Sequence, residues 1–105
     1  MKTQSLRRLA ALSLVGVLPM IGAPALAYSG QNLAPAAKIS IERARQIAHK
    51  AYPGRITDEE LEREGGGSGL RYSFDIQNGK VTQEVGIDAI SGRVLENKPE
   101  GKNPD

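Results

Sequence analysis

The chain has 105 residues, no cysteine, and 14 lysines and arginines against 12 aspartates and glutamates. This length accommodates one small domain, and the lack of cysteine excludes disulfide bonds and thiol chemistry. The sequence pI of about 9.1 would suggest nucleic-acid binding only if the basic residues belonged to the folded part of the chain.

Residues 1–27 have the parts of an export signal. A short basic start precedes an apolar run over residues 9–18, and Ala25 and Ala27 frame a small-residue cleavage motif. The apolar run is about half of the roughly 20 residues that a membrane-spanning helix needs, although an uncleaved anchor is the alternative interpretation. We expect cleavage after Ala27 and a periplasmic or secreted mature chain, residues 28–105.

Cleavage changes the charge balance. It removes three of the 14 basic residues and leaves 11 against 12 acidic ones. We therefore expect no nucleic-acid partner, and no membrane contact after cleavage.

One helix is predicted near the start of the mature chain. Residues 28–38 are small and polar and predict a flexible lead-in. Ser40 is a good N-cap, and Pro53-Gly54 ends the helical pattern. Between them the apolar residues fall in one arc of roughly 140° at 100° per residue; they are Ile41, Ala44, Ile47, Ala48, Ala51 and Tyr52.

Residues 55–64 fit two structures. Thr57 and Glu60 have capping-box spacing, which slightly favours a short second helix. The same residues could form an edge strand whose charges protect the edge. In either case residues 65–69 predict a flexible glycine-rich loop.

Residues 70–95 predict three consecutive antiparallel strands. Asn78-Gly79 between two alternating runs is a strong hairpin signal, because a type I′ turn needs positive φ at both central residues. A two-residue loop there would put one set of residues on the buried face; the expected pairs are Ile76 with Val81, Phe74 with Gln83, Tyr72 with Val85, and Leu70 with Ile87. The opposite face, with Arg71, Ser73 and Asp75, is expected to be solvated.

A second turn leads to the last strand. Residues 88–92 suit a type I turn, with Asp88 capping the turn amides and Gly92 in the left-handed region. Residues 93–95 return as a strand. The sequence after Leu95 has no apolar residue, and we expect residues 98–105 to form a disordered tail.

Few residues could carry chemistry. His49 is the only histidine, so neither an ordinary zinc site nor a catalytic triad can be built, and a surface position is expected for it. Asp88 with Ser91 is better explained by turn capping than by a reactive site. The acidic residues of 58–64 are expected to be a solvated edge rather than a cation site. Tyr72 and Phe74 alternate with polar residues, which favours the core over partner binding. We expect no enzyme activity and no cofactor.

Three segments together resemble the PepSY domain, a family named for peptidase propeptides. They are the helix ending in a Tyr-Pro-Gly turn (residues 44–56), the "Y-x-h-x-h" strand (residues 72–76) and the "V-x-h-D-A-x-S-G-x-V-h" run (residues 85–95), where h is hydrophobic. Their order and spacing agree with the family over residues 39–96. The resemblance implies that residues 55–64 are a strand, and only the glycine-rich link departs from the pattern.

The expected domain is therefore an α+β fold over residues 39–97, with one N-terminal helix packed on a small antiparallel sheet of three to four strands. PepSY-like segments of secreted metallopeptidases are thought to hold the enzyme inactive. This chain has no room for a peptidase domain, so the resemblance implies regulation of an extracytoplasmic peptidase in trans. Strand addition would use a free sheet edge, with Asp58, Glu60 and Glu62 setting specificity. The alternative is a ligand- or cation-responsive envelope protein without a peptidase partner.

Overall fold

The computed structural model describes residues 27–101. One α-helix lies on one side of a four-stranded antiparallel sheet, which confirms the predicted α+β fold. The elements in chain order are a 3-10 helix Gln31–Ala36, α1 Ile41–Ala51, β1 Arg55–Arg63, β2 Leu70–Asn78, β3 Val81–Asp88 and β4 Val94–Pro99. No helix within the described part is long and apolar enough to cross a membrane. Ala25 and the rest of the predicted signal up to residue 26 lie outside the described residues.

Helix α1 has the predicted boundaries and the predicted buried stripe. The Ser40 side chain accepts a hydrogen bond from the Arg43 N–H at 3.1 Å, which satisfies one of the free amides of the first turn. Ile41, Ala44 and Ala48 are buried, and Ile47, Ala51 and Tyr52 are partly buried. The alanines let the helix lie close to the sheet. His49 is exposed, as predicted.

Residues 55–63 form strand β1, so the strand implied by the family resemblance is confirmed and the locally favoured helix is wrong. β1 pairs with β2 in an antiparallel ladder, with a bulge between Ile56 and Asp58. Leu61 is buried in the core from this strand. Pairing with β2 and burial of Leu61 override the weak helix propensity of the acidic residues, because sheet formation depends on tertiary context.

The β2–β3 hairpin has the predicted faces but not the predicted register. Phe74 lies opposite Val85 and Tyr72 opposite Ile87, which is two residues away from the expected pairing. Asn78 is the last residue of β2, and the turn is Gly79-Lys80. The Asn78 side chain donates to the Pro53 carbonyl oxygen at 2.9 Å, which joins the end of β2 to the turn after α1. A shift of two residues preserves the faces, so the hydrophobic pattern alone cannot detect it.

Strand β4 is longer than predicted. It runs into the segment that we expected to be disordered, and Lys98 and Pro99 pair with β3. The Gln83 side-chain amide donates to Asn97 Oδ1 at 2.7 Å, and the Glu100 N–H donates to the Thr82 carbonyl at 2.8 Å. Main-chain and amide hydrogen bonds hold the part of β4 after Leu95. This part gives no hydrophobic pattern, which explains why the sequence did not predict it.

The lead-in also has more structure than predicted. Residues 31–36 form the 3-10 helix, and Ser29 makes an isolated parallel bridge with Glu60 on the outer edge of β1. Leu33, Ala34 and Ala37 pack against the core. The lead-in is therefore part of the fold, although its small and polar composition predicted a flexible segment.

The core lies between α1 and the sheet, and its largest fully buried side chains come from β1, β2 and β3: Tyr72, Phe74, Leu61, Ile76, Ile87 and Val85. The Tyr72 hydroxyl donates to the Ile39 carbonyl oxygen at 2.8 Å, and its ring stacks on Phe74 with 6.5 Å between centroids. Burial raises the pKa of Tyr72 to about 12. Both aromatic residues are core residues, as predicted.

Candidate functional site

The sheet face that α1 leaves uncovered is lined by carboxylates from all four strands and from the loop after β1. They surround a shallow concavity of about 310 Å³. We call this set the acidic face: Asp58, Glu60, Glu62, Glu64, Asp75, Glu84 and Glu96. The three residues predicted at a partner-binding edge, Asp58, Glu60 and Glu62, all belong to it.

Strand periodicity brings these residues together. Successive side chains of a strand point to opposite faces, so alternate residues share a face. The observed register places Asp58 opposite Asp75, and Asp75 opposite Glu84. Like charges directly opposite in a sheet are destabilising, and only Lys98, which pairs with Glu84, ends this row with a positive charge.

The pKa values of the central carboxyl groups reflect this crowding. Burial, then the charges of Glu100 and Asp58, raise the pKa of Asp75 above its ordinary value. Burial and the charges of Glu96 and Asp75 raise the pKa of Glu84, and Lys98 opposes this effect. The ionised forms of both carboxylates are therefore destabilised in the folded state, and a cationic partner would offset this destabilisation.

Arg71 closes one end of the acidic face. Its guanidinium donates to Glu96 Oε1 and to the Gly65 carbonyl oxygen, both at 3.1 Å. It lies over Gly86, where an added Cβ would come within 3.0 Å of the Arg71 Cδ. Arg71 is only 7% exposed, so the prediction of a solvated position is wrong. The glycine of β3 and the glycine-rich loop make room to bury it.

Asp88 connects the glycine-rich loop to the turn before β4. It accepts hydrogen bonds from the Ile90 N–H (2.9 Å), the Ser68 N–H (3.0 Å) and the Ser68 hydroxyl (2.6 Å). Burial alone would raise the pKa of Asp88, but these hydrogen bonds outweigh it and lower the pKa to about 2. Asp88 thus caps the turn amides, and it also holds the loop, which the sequence did not reveal.

The two predicted turn glycines are at turns, whereas Asn78 ends β2. Gly79 has φ +64° in the β2–β3 turn and Gly92 has φ +80° before β4, values that favour glycine. The Gly92 N–H donates to the Asp88 carbonyl oxygen at 2.8 Å. These residues shape the scaffold and lie outside the acidic face. Ala27, the described residue of the predicted cleavage motif, is exposed.

The outer edge of β1 is not wholly free. The Leu61 N–H donates to the Ser29 carbonyl oxygen at 2.8 Å, so the lead-in covers the middle of the strand. On this outer side, no strand of the described residues pairs with the main chain of β1 before Glu60.

The acidic face could have been predicted in part. Asp58, Glu60 and Glu62 alternate along β1, so the sequence places them on one face. Joining them to Asp75 and Glu84 needs the strand register, which was predicted wrongly. Joining them to Glu96 needs a fourth strand, of which only residues 93–95 were predicted. Within residues 27–101, no group of three or more histidine, cysteine, aspartate or glutamate side chains is arranged to hold a metal ion. The arrangement is suited to contact with a cationic surface.

Comparison with known proteins identifies the family. Neither a curated protein nor a solved structure matches the chain. A family model described as "Peptidase propeptide and YPEB domain" matches residues 38–98, which include α1 and almost all of the sheet. Because this match spans more than half of the chain, the helix, the meander sheet and the turn motifs have one common explanation: the chain belongs to the PepSY family.

Proposed function

We propose that this chain is an exported protein-binding module that regulates an extracytoplasmic peptidase in trans. The family description supports a link to peptidases, and the export signal predicted over residues 1–27 supports a location outside the cytoplasmic membrane. The observation that carries the proposal is the acidic face, a concave surface of crowded carboxylates on the side of the sheet that α1 leaves free.

The electrostatics favour a basic protein surface as the partner. Asp75 and Glu84 have raised pKa values because burial and neighbouring charges disfavour their ionised forms. Lysine or arginine side chains placed among them would relieve this repulsion and lower both pKa values. Complementary charge also speeds the encounter of two proteins and excludes acidic partners.

The test is an affinity pull-down of tagged residues 28–105 from extracytoplasmic extract, with mass spectrometry and an assay of the recovered peptidase. Two charge reversals form a matched pair: Glu84→Lys on the acidic face and Glu42→Lys on the exposed surface of α1. We expect a peptidase in stoichiometric amount with the wild type and with Glu42→Lys, and a clear loss with Glu84→Lys. The bound peptidase should show altered activity.

Two outcomes would contradict the proposal. One is that no peptidase is recovered and none changes activity when the protein is added. The other is that both charge reversals reduce recovery equally. A melting temperature raised by Ca²⁺, together with an empty pull-down, would instead support the cation-responsive alternative, because a ligand of the native state stabilises it.

A further inference from the structure

The outer edge of β1 already accepts one segment of backbone. Ser29 pairs with Glu60 in parallel orientation, and the Leu61 N–H donates to the Ser29 carbonyl oxygen. Gly30 follows with φ +81°, and an added Cβ there would lie 1.7 Å from the Leu61 carbonyl oxygen. At this point the edge thus accommodates another backbone segment at hydrogen-bonding distance.

A groove continues along the part of this edge that the lead-in leaves open. It has a volume of about 660 Å³ and lies between residues 27–29 and residues 56–59, beside Arg45. An edge strand presents unpaired N–H and C=O groups, which can pair with an incoming extended segment. The groove thus offers both space and main-chain hydrogen-bonding groups.

The two sides of the groove differ in chemistry. Asp58 lines both the groove and the acidic face. On the helix side lie Ile56 and Tyr28, which pack against the core, and the Glu59 carboxylate, whose charge is paired by Arg45 at 2.9 Å. Because strand side chains alternate, an added strand would place one set near the carboxylates and the other near Ile56 and Tyr28.

We propose that residues 55–59 of β1 bind an extended segment of the partner by strand addition, and that this segment alternates basic and apolar residues. Main-chain hydrogen bonds would supply affinity, and the alternating side chains would supply specificity. The proposal rests on the proposed function and specifies its binding mode.

The competing role of this edge is protection. A bulge and charged side chains are also the means by which proteins prevent unwanted strand pairing, and β1 has both. The experiment must therefore distinguish strand addition from a protected edge and from general attraction to the acidic face.

The probe is an end-blocked seven-residue peptide that alternates lysine and valine, titrated into ¹⁵N-labelled residues 28–105 and followed by NMR. This chain retains the whole core, because every core residue lies after residue 27. We expect saturable shifts concentrated at the amides of residues 56–59. A peptide with glutamate in place of lysine, and a lysine–valine peptide N-methylated along one edge, should not bind.

Two variants with the same change in net charge complete the design. Asp58 lies at the groove, whereas Glu100 follows β4 and acts on Asp75 of the acidic face from outside the groove. We expect Asp58→Lys to weaken binding about three- to tenfold, the effect of replacing one exposed ion pair by a like-charge contact. Glu100→Lys should weaken it less than about twofold.

Equal weakening by both variants, with no effect of N-methylation, would show attraction to the acidic face without strand addition and would overturn the proposal. No saturable shift would show that the edge is protected and would also overturn it. A peptidase recovered in the pull-down without peptide binding at β1 would reject only the binding mode, whereas peptide binding without a peptidase partner would reject only the proposed function.

Discussion

At the scale of single residues, the Asp88 carboxylate joins two segments of the chain. It is 3% exposed and its charge is held by donors from two separate segments, the Ser68 loop and the turn at Ile90. The sequence predicted the turn cap from the spacing of Asp88 and Gly92. It could not predict Ser68 as a partner, because a loop of glycines gives no information about its path.

The Asp88 carboxylate makes the stability of the fold depend on pH. The folded state lowers the pKa of Asp88 from its ordinary value of 3.8 to about 2. At pH values above the ordinary pKa, its charge therefore stabilises the fold by roughly 2 kcal/mol. This contribution is lost as the pH falls from about 4 to 2. Asp88→Asn should lower the free energy of unfolding at pH 7 by about 2 kcal/mol and flatten its pH dependence in that window, as measured by urea denaturation.

Asp75→Asn is the matched control, because the pKa of Asp75 is raised rather than lowered. Its ionised form opposes folding at neutral pH, so this variant should be neutral or slightly more stable. A loss of stability at Asp75 equal to that at Asp88 would contradict the assignment of these roles.

At the scale of elements, the sequence was sufficient for α1, for the buried faces of β2 and β3, and for Gly92 in its turn. Periodicity determines which side of an element faces the core. It identified that side of α1, β2 and β3, but Arg71 on the other side of β2 is buried, and Val81, expected on the buried side at the start of β3, is 43% exposed. It cannot determine a register that is shifted by an even number of residues. Asn78 illustrates this limit. The Asn-Gly signal predicts the turn at residues 78 and 79, but Asn78 is still in β2, and its side chain bonds to Pro53 outside the hairpin.

The lead-in was mispredicted because its contacts are made by backbone groups and by a few scattered side chains, such as Leu33 and Ala34, which show no hydrophobic period. Its attachment depends on Gly30, which combines positive φ with close approach to Leu61. Gly30→Ala should detach the lead-in from β1 and cost at least about 1–2 kcal/mol in stability. Hydrogen exchange should show faster exchange of the Leu61 amide.

Gly65→Ala is the control for this substitution, because Gly65 has no positive φ and an added Cβ meets no atom within 4 Å. It should change neither stability nor exchange at Leu61. If Gly30→Ala left the Leu61 amide protected, the lead-in would not be held by this close approach.

At the scale of the whole molecule, two groups of carboxylates respond to pH in opposite directions. The raised pKa values of Asp75 and Glu84 mean that protonation of these groups relieves repulsion, so stability increases as the pH falls toward their ordinary pKa values. Below that range the protonation of Asp88 removes stability. Thermal denaturation should therefore show a maximum melting temperature at mildly acidic pH, near 4 to 5.

Salt provides an independent measurement of the same effect. Raising the ionic strength from about 10 to 150 mM shortens the Debye length to about 8 Å and should raise the melting temperature at pH 7. In the double variant Asp75→Asn with Glu84→Gln, both the salt effect and the rise in stability at mildly acidic pH should be smaller. A salt effect of the same size in wild type and double variant would show that the acidic face does not cause it.

The spatial order of the strands in this sheet is the same as their order in the chain. Each strand can therefore join the growing sheet by closing only the short connection that precedes it, and the loss of chain entropy at each step is small. Proteins dominated by such local contacts fold rapidly. The contacts of the lead-in and α1 with the sheet span longer stretches of chain. A β2–β3 nucleus, with β1 and β4 adding on either side and the N-terminal segment docking last, is the folding order that this topology favours.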